Sequence, residues 1–207
     1  NNYLNNNVTR TCFFYNLHIT LSNFKLRHIC DFSTQKLMKS KENIVFLGMM
    51  GSGKSSIGSL VAKKLKLDFI DIDKEIEREL GLTVSKIFET KGEDYFRNYE
   101  EKITLKILKI NSVVVSLGGG AFVNKIIRKE ILKNHISFWL NWDNKILVNR
   151  IKNSKKRPLA FNSTENELID LIKKRSNIYS KALYEIKCDK LSKNEIVKKV
   201  LKNYETN

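Results

Sequence analysis

The chain has 207 residues, 42% of them hydrophobic and 29% charged, which allows one sizeable core and argues for a single domain. Its formal net charge of +16 and sequence pI near 9.7 favour anionic partners, from nucleotides and carboxylates to nucleic acids and membrane surfaces, without choosing among them. Cys12, Cys30 and Cys188 form no CxxC pair and no ligand-like spacing with the three histidines, which excludes a zinc site or a disulfide framework, and no apolar run approaches the roughly 18 residues of a membrane span.

Residues 1–37 stand apart. Arg10, Lys25, Arg27 and Lys36 face only Asp31 there, among Asn, Phe and hydroxyl residues without sustained period, so little fixed structure is expected. Two readings fit: an extension of the gene model upstream of Met38, or an organelle-targeting leader, which is typically basic and acid-poor. Residues 38–207 form the expected domain. Apolar runs suited to buried parallel strands, at 43–47, 68–71, 112–117, 135–141 and 184–188, alternate with helical patterns, the order of a doubly wound α/β sheet. Helices are expected at 54–65 and 73–80, over a short stretch from Thr83 to near Gly92, and at 93–108, 125–133 and 143–152. Thr164 with Glu167 and Ser192 with Glu195 have capping-box spacing and mark two further helix starts. The lysines are spread through the helical segments, as on solvated faces, and no nucleic-acid or membrane partner is expected.

Gly48-Met49-Met50-Gly51-Ser52-Gly53-Lys54-Ser55 satisfies G-x-x-x-x-G-K-[ST] between a strand and a helix, the context that a phosphate-binding P-loop requires. Such a loop curls its backbone N–H groups around phosphates at the positive end of the following helix. Lys54 supplies a mobile charge, and Ser55 places a hydroxyl where Mg²⁺ bridges the β- and γ-phosphates. ATP is therefore the expected co-substrate.

Asp71 and Asp73 are expected at the end of the second strand, facing the same side, near the phosphates. The first suits magnesium held through water and the second suits a base for an acceptor hydroxyl, although Asp73 also fits a simple helix cap. Gly118-Gly119-Gly120 follows the third strand and is expected to let a ligand edge approach the backbone, or to be a flexible turn. Arg97 and Arg175, on separate helices, can each clamp a carboxylate by paired hydrogen bonds, and each alone also fits a surface salt bridge. Arg157-Pro158-Leu159 holds the single proline, in a polar stretch over about 153–163 that suits a lid.

In this order, GMMGSGKS, DID, GEDYFRNYE, LGGG and RPL, then Arg175 shortly before Tyr179, resemble the shikimate kinase family over about residues 42–205. The resemblance implies a P-loop three-layer sandwich with a five-stranded parallel sheet flanked by helices, an acceptor-binding region near 73–101 and a lid. It implies phosphoryl transfer from ATP to the 3-hydroxyl of shikimate, a step toward chorismate and the aromatic amino acids, by a cytoplasmic monomer unless the leader directs import. Gly51, Ser52, Gly53, Lys54, Ser55 and Ser56 would hold the nucleotide, with Arg150 near the adenine and Arg157 closing over the phosphates. Ser55 and Asp71 would serve Mg²⁺. Asp73 would be the base, Arg97 and Arg175 would clamp the shikimate carboxylate, Gly118, Gly119 and Gly120 would border the ring, and Glu100 would hold Arg97. Met49, Met50 and Ala160 depart modestly from the family pattern. A gluconate or nucleoside monophosphate kinase would keep the cradle but change the acceptor pocket, and a catalytically silent relative would be expected to lose Lys54, Asp73 or Arg157, all of which are present.

Overall fold

The computed structural model describes residues 42–153 and 163–207. The expected leader, Arg157 and most of the expected lid lie outside the described residues. Within them the chain runs β1 (Ile44–Leu47), α1 (Lys54–Leu65), β2 (Asp68–Asp71), α2 (Ile72–Leu80), α3 (Val84–Leu108), β3 (Val113–Ser116), a 3₁₀ turn (Ala121–Val123), α4 (Lys125–Asn134), β4 (Ile136–Asn141), α5 (Asn144–Lys152), α6 (Glu165–Tyr179), β5 (Tyr184–Lys187) and α7 (Lys193–Glu205).

The five strands form one parallel sheet in the order β2-β3-β1-β4-β5. Ile44 of β1 pairs with Val114 on one side and Ile136 on the other. Central strands of such a sheet are covered on both faces, which is why IVFL and VVVS are buried throughout rather than alternating with polar residues. Side chains two apart share a face. Ile44 and Phe46 accordingly enter one core with Ile57 and Val61 of α1 and Ile196 and Val200 of α7. Val45 and Leu47 enter the other core with Ile72, Ile103, Ile127, Leu147 and Ile172 from α2 to α6. The result is three layers, as expected, with seven helices among the described residues.

Helix ends follow the local chemistry. Thr164 and Ser192 form both halves of their capping boxes with Glu167 and Glu195, and Thr83 accepts from the Lys86 N–H. The two helices expected on either side of Gly92 are one run, α3, broken at Gly92, whose φ of 83° and ψ of 171° are non-helical. One placement differs from expectation more usefully. β2 ends at Asp71, whose side chain accepts the Lys74 N–H at 3.3 Å and caps α2. Asp73 is thus in the first turn of α2 rather than on the strand, and Asp71 rather than Asp73 is the cap.

Strand order changes direction about β1, and in open α/β sheets the ligand crevice lies at the carboxyl ends of the strands beside such a switch. The P-loop leaves β1 there, Asp71 ends β2, Ser116 ends β3 and Trp142 follows β4.

Candidate active site

The P-loop turns on glycines in the left-handed region, Gly51 at φ 81° and Gly53 at φ 88°, and Gly53 leads directly into α1. Conformations of this kind are costly for residues with a β-carbon. Lys54 is nearly buried and lies along its own loop, donating to the Gly48 and Met49 carbonyls at 3.0 Å each. Its ammonium is therefore held inside the cradle, where a phosphate oxygen would compete for it.

Beside the loop, Ser55 Oγ donates to Asp71 Oδ2 at 2.5 Å and lies 3.5 Å from Ser116 Oγ. Two hydroxyls and a carboxylate make an oxygen-only donor set, which suits a hard cation such as Mg²⁺ completed by water and phosphate oxygens.

A cavity of about 460 Å³ opens from this point and is lined by Lys54, Ser55, Asp71, Asp73, Ser116, Gly119, Gly120, Arg97, Arg175 and the rings of Phe88 and Phe96, among others. Arg97 and Arg175, expected to converge, both reach it from α3 and α6. Arg97 donates from Nη1 to Glu100 Oε2 at 2.8 Å and from Nη2 to Glu93 Oε1 at 3.1 Å. It also stands 5.3 and 5.7 Å from the centroids of Phe96 and Phe88. Arg97 is salt-bridged, as one of its two expected alternatives has it, and it also lines the cavity. Glu100 is buried and lies one turn beyond Arg97. Burial raises its pKa, the charge and hydrogen bond of Arg97 oppose that shift, and Asp73 adds to it. Asp73 likewise has its pKa raised, first by burial and then by Asp71, against the opposing charges of Lys54 and Arg97.

Gly119 and Gly120 line the cavity, and the glycine triplet also accommodates the site's own side chains. A β-carbon on Gly118 would overlap Glu100 Oε1 and lie 2.6 Å from Asp73 Oδ1, and one on Gly120 would lie 2.5 Å from Arg97 Nη1. Two of the three glycines make room for the site's own side chains. The third, Gly119, offers its carbonyl to Arg175 Nη1 at 3.3 Å and to the Tyr179 hydroxyl.

A second cavity of about 340 Å³ lies on the far side of the loop, lined by Gly51, Ser52, Gly53, Ser56, Trp142 and Arg150, with Leu191 and Lys193 opposite. Arg150 stacks 3.7 Å above the Trp142 ring, and the Trp142 indole N–H donates to the Ser52 carbonyl at 2.8 Å. The residues expected to hold the nucleotide therefore divide between the two cavities, with Lys54 and Ser55 in the first.

A family model described as shikimate kinase matches residues 50–205. The chain belongs to the shikimate kinase family. The shikimate kinase of Thermodesulfovibrio yellowstonii is 36% identical over 165 residues, covering 79% of this chain and 95% of that protein. That of Rhizobium meliloti is 40% identical over 164 residues, with 78% and 84% covered. A solved structure of shikimate kinase from Acinetobacter baumannii in complex with shikimate aligns with a TM-score of 0.78 at 31% identity, covering 83% of this chain and 97% of that one.

Four further residues of this shikimate kinase family chain border the cavities without standing out in the sequence, Phe88, Phe96 and Ser116 in the first and Trp142 in the second. Ser116 ends β3 and Trp142 follows β4, in a sheet whose ligands gather at the strand ends, and that is the signal that points to them. Phe88 and Phe96 flank the break at Gly92, and apolar periodicity reads them as core. Among the described residues, no helix is long and apolar enough to cross a membrane.

Proposed function

We propose that the chain transfers the terminal phosphoryl group of ATP to the 3-hydroxyl of shikimate, giving shikimate 3-phosphate and ADP. The observation that carries this reading is the single cavity that holds the P-loop lysine, the half-buried Asp73 and two arginines from different helices. One end is suited to phosphates and the other to a hydroxylated carboxylic acid. The Acinetobacter baumannii relative, solved with shikimate, supports that acceptor.

Gly51, Ser52, Gly53, Lys54, Ser55 and Ser56 cradle the ATP phosphates with backbone N–H groups and the lysine ammonium. Arg150, beside Trp142, borders the adenine. Ser55, and Asp71 through water, would hold Mg²⁺, which would supply positive charge against the phosphates. Arg97 and Arg175 grip the carboxylate of shikimate, with Glu100 fixing Arg97. Gly118, Gly119 and Gly120 border the ring. Asp73 accepts the proton of the 3-hydroxyl as that oxygen forms its bond to the γ-phosphorus and the bond to ADP breaks. Arg157, from its motif, is the cation that covers the transferring group. Lys54 stabilises the charge on the transferring oxygens.

The form proposed for the enzyme is a monomer. The free, buried Cys188 suits a reducing compartment such as the cytoplasm. The test is ADP release coupled to a spectrophotometric readout, with shikimate, gluconate and nucleoside monophosphates compared at equal concentration. Turnover with shikimate alone is expected. A preference for either of the other acceptors would overturn the assignment while leaving ATP binding in place.

A further inference from the structure

Tyr179 and Arg175, one turn apart on α6, aim at the same atom. Both donate to the Gly119 carbonyl oxygen, the guanidinium at 3.3 Å and the phenol in a shorter bond. Tyr179 is among the most deeply buried side chains of the protein, its ring packed 6.2 Å from that of Trp139 on β4. Burial pushes the phenol pKa up to about 12, so the hydroxyl is a permanent donor at any physiological pH. Arg175, by contrast, borders the cavity, and besides the carbonyl its guanidinium meets the Tyr179 phenol and, at 3.9 Å, Met49 Sδ.

Gly119 is half-buried on the cavity wall, and a carbonyl in that position resists losing its last protein donor, because water replaces it only in part. If Arg175 alone satisfied Gly119, every movement of the guanidinium toward a ligand would strand that oxygen. With the phenol in place it does not.

We propose that Tyr179 is a positioning residue for acceptor binding: by holding the Gly119 carbonyl, its hydroxyl releases the Arg175 guanidinium to engage the acceptor carboxylate. The proposal rests on the functional reading above, since it concerns the same pocket. It assigns to Tyr179 a role that acts through Arg175 and touches neither substrate nor phosphate.

Steady-state kinetics of the full chain with Tyr179→Phe test it, because phenylalanine keeps the buried ring and removes only the donor. The shikimate KM is expected to rise about tenfold while kcat and the ATP KM stay within about twofold. On an Arg175→Ala background the same change is expected to alter the shikimate KM less than about twofold, because no guanidinium remains to be diverted to the carbonyl. An unchanged shikimate KM in Tyr179→Phe overturns the proposal. So does an increase of equal size on both backgrounds, or a joint collapse of kcat and ATP affinity, each of which marks a merely structural hydroxyl. Absence of shikimate turnover by the unsubstituted protein would overturn the functional reading and this inference with it, whereas turnover with an insensitive KM would remove the inference alone.

Discussion

Asp73 Oδ1 and Glu100 Oε1 both reach into the space that a β-carbon on Gly118 would occupy. One carboxylate comes from the first turn of α2 and the other from beyond the break in α3, so the absent side chain of β3's trailing loop is what lets two helices bring acids to one point. Glu100 is buried and its other oxygen is held by Arg97, so a methyl group at this point must displace one acid or both. Gly118→Ala is therefore expected to displace Asp73 from the acceptor hydroxyl and Glu100 from Arg97 together. The expected result is a fall in kcat/KM for shikimate of about a hundredfold, of the size that an ångström-scale misplacement causes, with ATP binding by titration calorimetry retained. Activity within about twofold of the parent would show that the two acids are not held by this close approach.

Asp73 carries a testable pH signature. Its folded pKa lies above the ordinary 3.8 of an aspartate, first because burial penalises the carboxylate and then because Asp71 is near. The folded state therefore binds this proton more tightly than the unfolded chain. Stability contributed by the neutral acid is present at low pH and lost as the pH rises from 3.8 through the raised folded value. Asp73→Asn keeps the shape without the charge. It is expected to melt at a higher temperature than the parent at pH 7, an advantage that shrinks as the pH falls toward 3.8, while turnover drops by about a hundredfold or more through loss of the base. A substituted protein that melts lower at pH 7 would contradict the burial penalty, and one that keeps its turnover would remove the proton-accepting role.

Arg97 and Glu100 form a pair in which the carboxylate is 2% exposed and the guanidinium 27% exposed. The buried member depends on the partly wet one. Arg97→Lys is expected to lose the forked geometry, since an ammonium cannot satisfy Glu100, Glu93 and an acceptor carboxylate together. The shikimate KM should rise about tenfold with the ATP KM unaltered, which fluorescence titration with each substrate separately would check. Glu100→Ala leaves the arginine without its inner partner and is expected to cost about 2 kcal/mol in urea unfolding, below the range for fully buried pairs because Arg97 retains some water and Glu93. An unchanged shikimate affinity in Arg97→Lys would count against the carboxylate clamp.

Much of this arrangement was legible in the sequence because its signals are local. The P-loop announces itself by glycines whose spacing matches its turn, the central strands by unbroken apolar runs, and α6 and α7 by capping boxes formed within four residues. What could not be read is non-local. Asp71-Ile72-Asp73 permits either a strand end or a helix start, and the decision lies with the bond from the Lys74 N–H to Asp71, which starts the helix at Ile72, one residue before the expected Asp73. The glycine triplet suggests room for a ligand, and nothing in its spacing tells that Gly118 and Gly120 also make room for Asp73, Glu100 and Arg97. Those side chains lie 18 to 45 residues earlier, a distance across which local patterning carries no information.

His135 makes a prediction remote from the cavity. It stands at the junction of α4 and β4, where Nδ1 accepts the Asn43 N–H at 3.2 Å just before β1. Asn43 is itself buried and ties the neighbourhood together, donating from Nδ2 to the Leu108 carbonyl at 3.1 Å and accepting from the Val113 N–H at 3.1 Å. An imidazole that accepts at Nδ1 must keep that nitrogen unprotonated. Burial holds the His135 pKa below its usual 6.5, with Glu130, 4.0 Å from Nε2, opposing the shift. Between the lowered folded value and 6.5 the unfolded chain binds more protons than the folded one, so stability is full above 6.5 and declines as the pH falls through this window. His135→Asn can offer an amide oxygen to the same N–H without titrating. Urea midpoints measured from pH 7.5 to 5.5 are expected to fall for the parent and to fall less for His135→Asn, the two curves converging or crossing toward acid. Parallel curves across that range would show that His135 is not the group whose protonation loosens the start of the central strand.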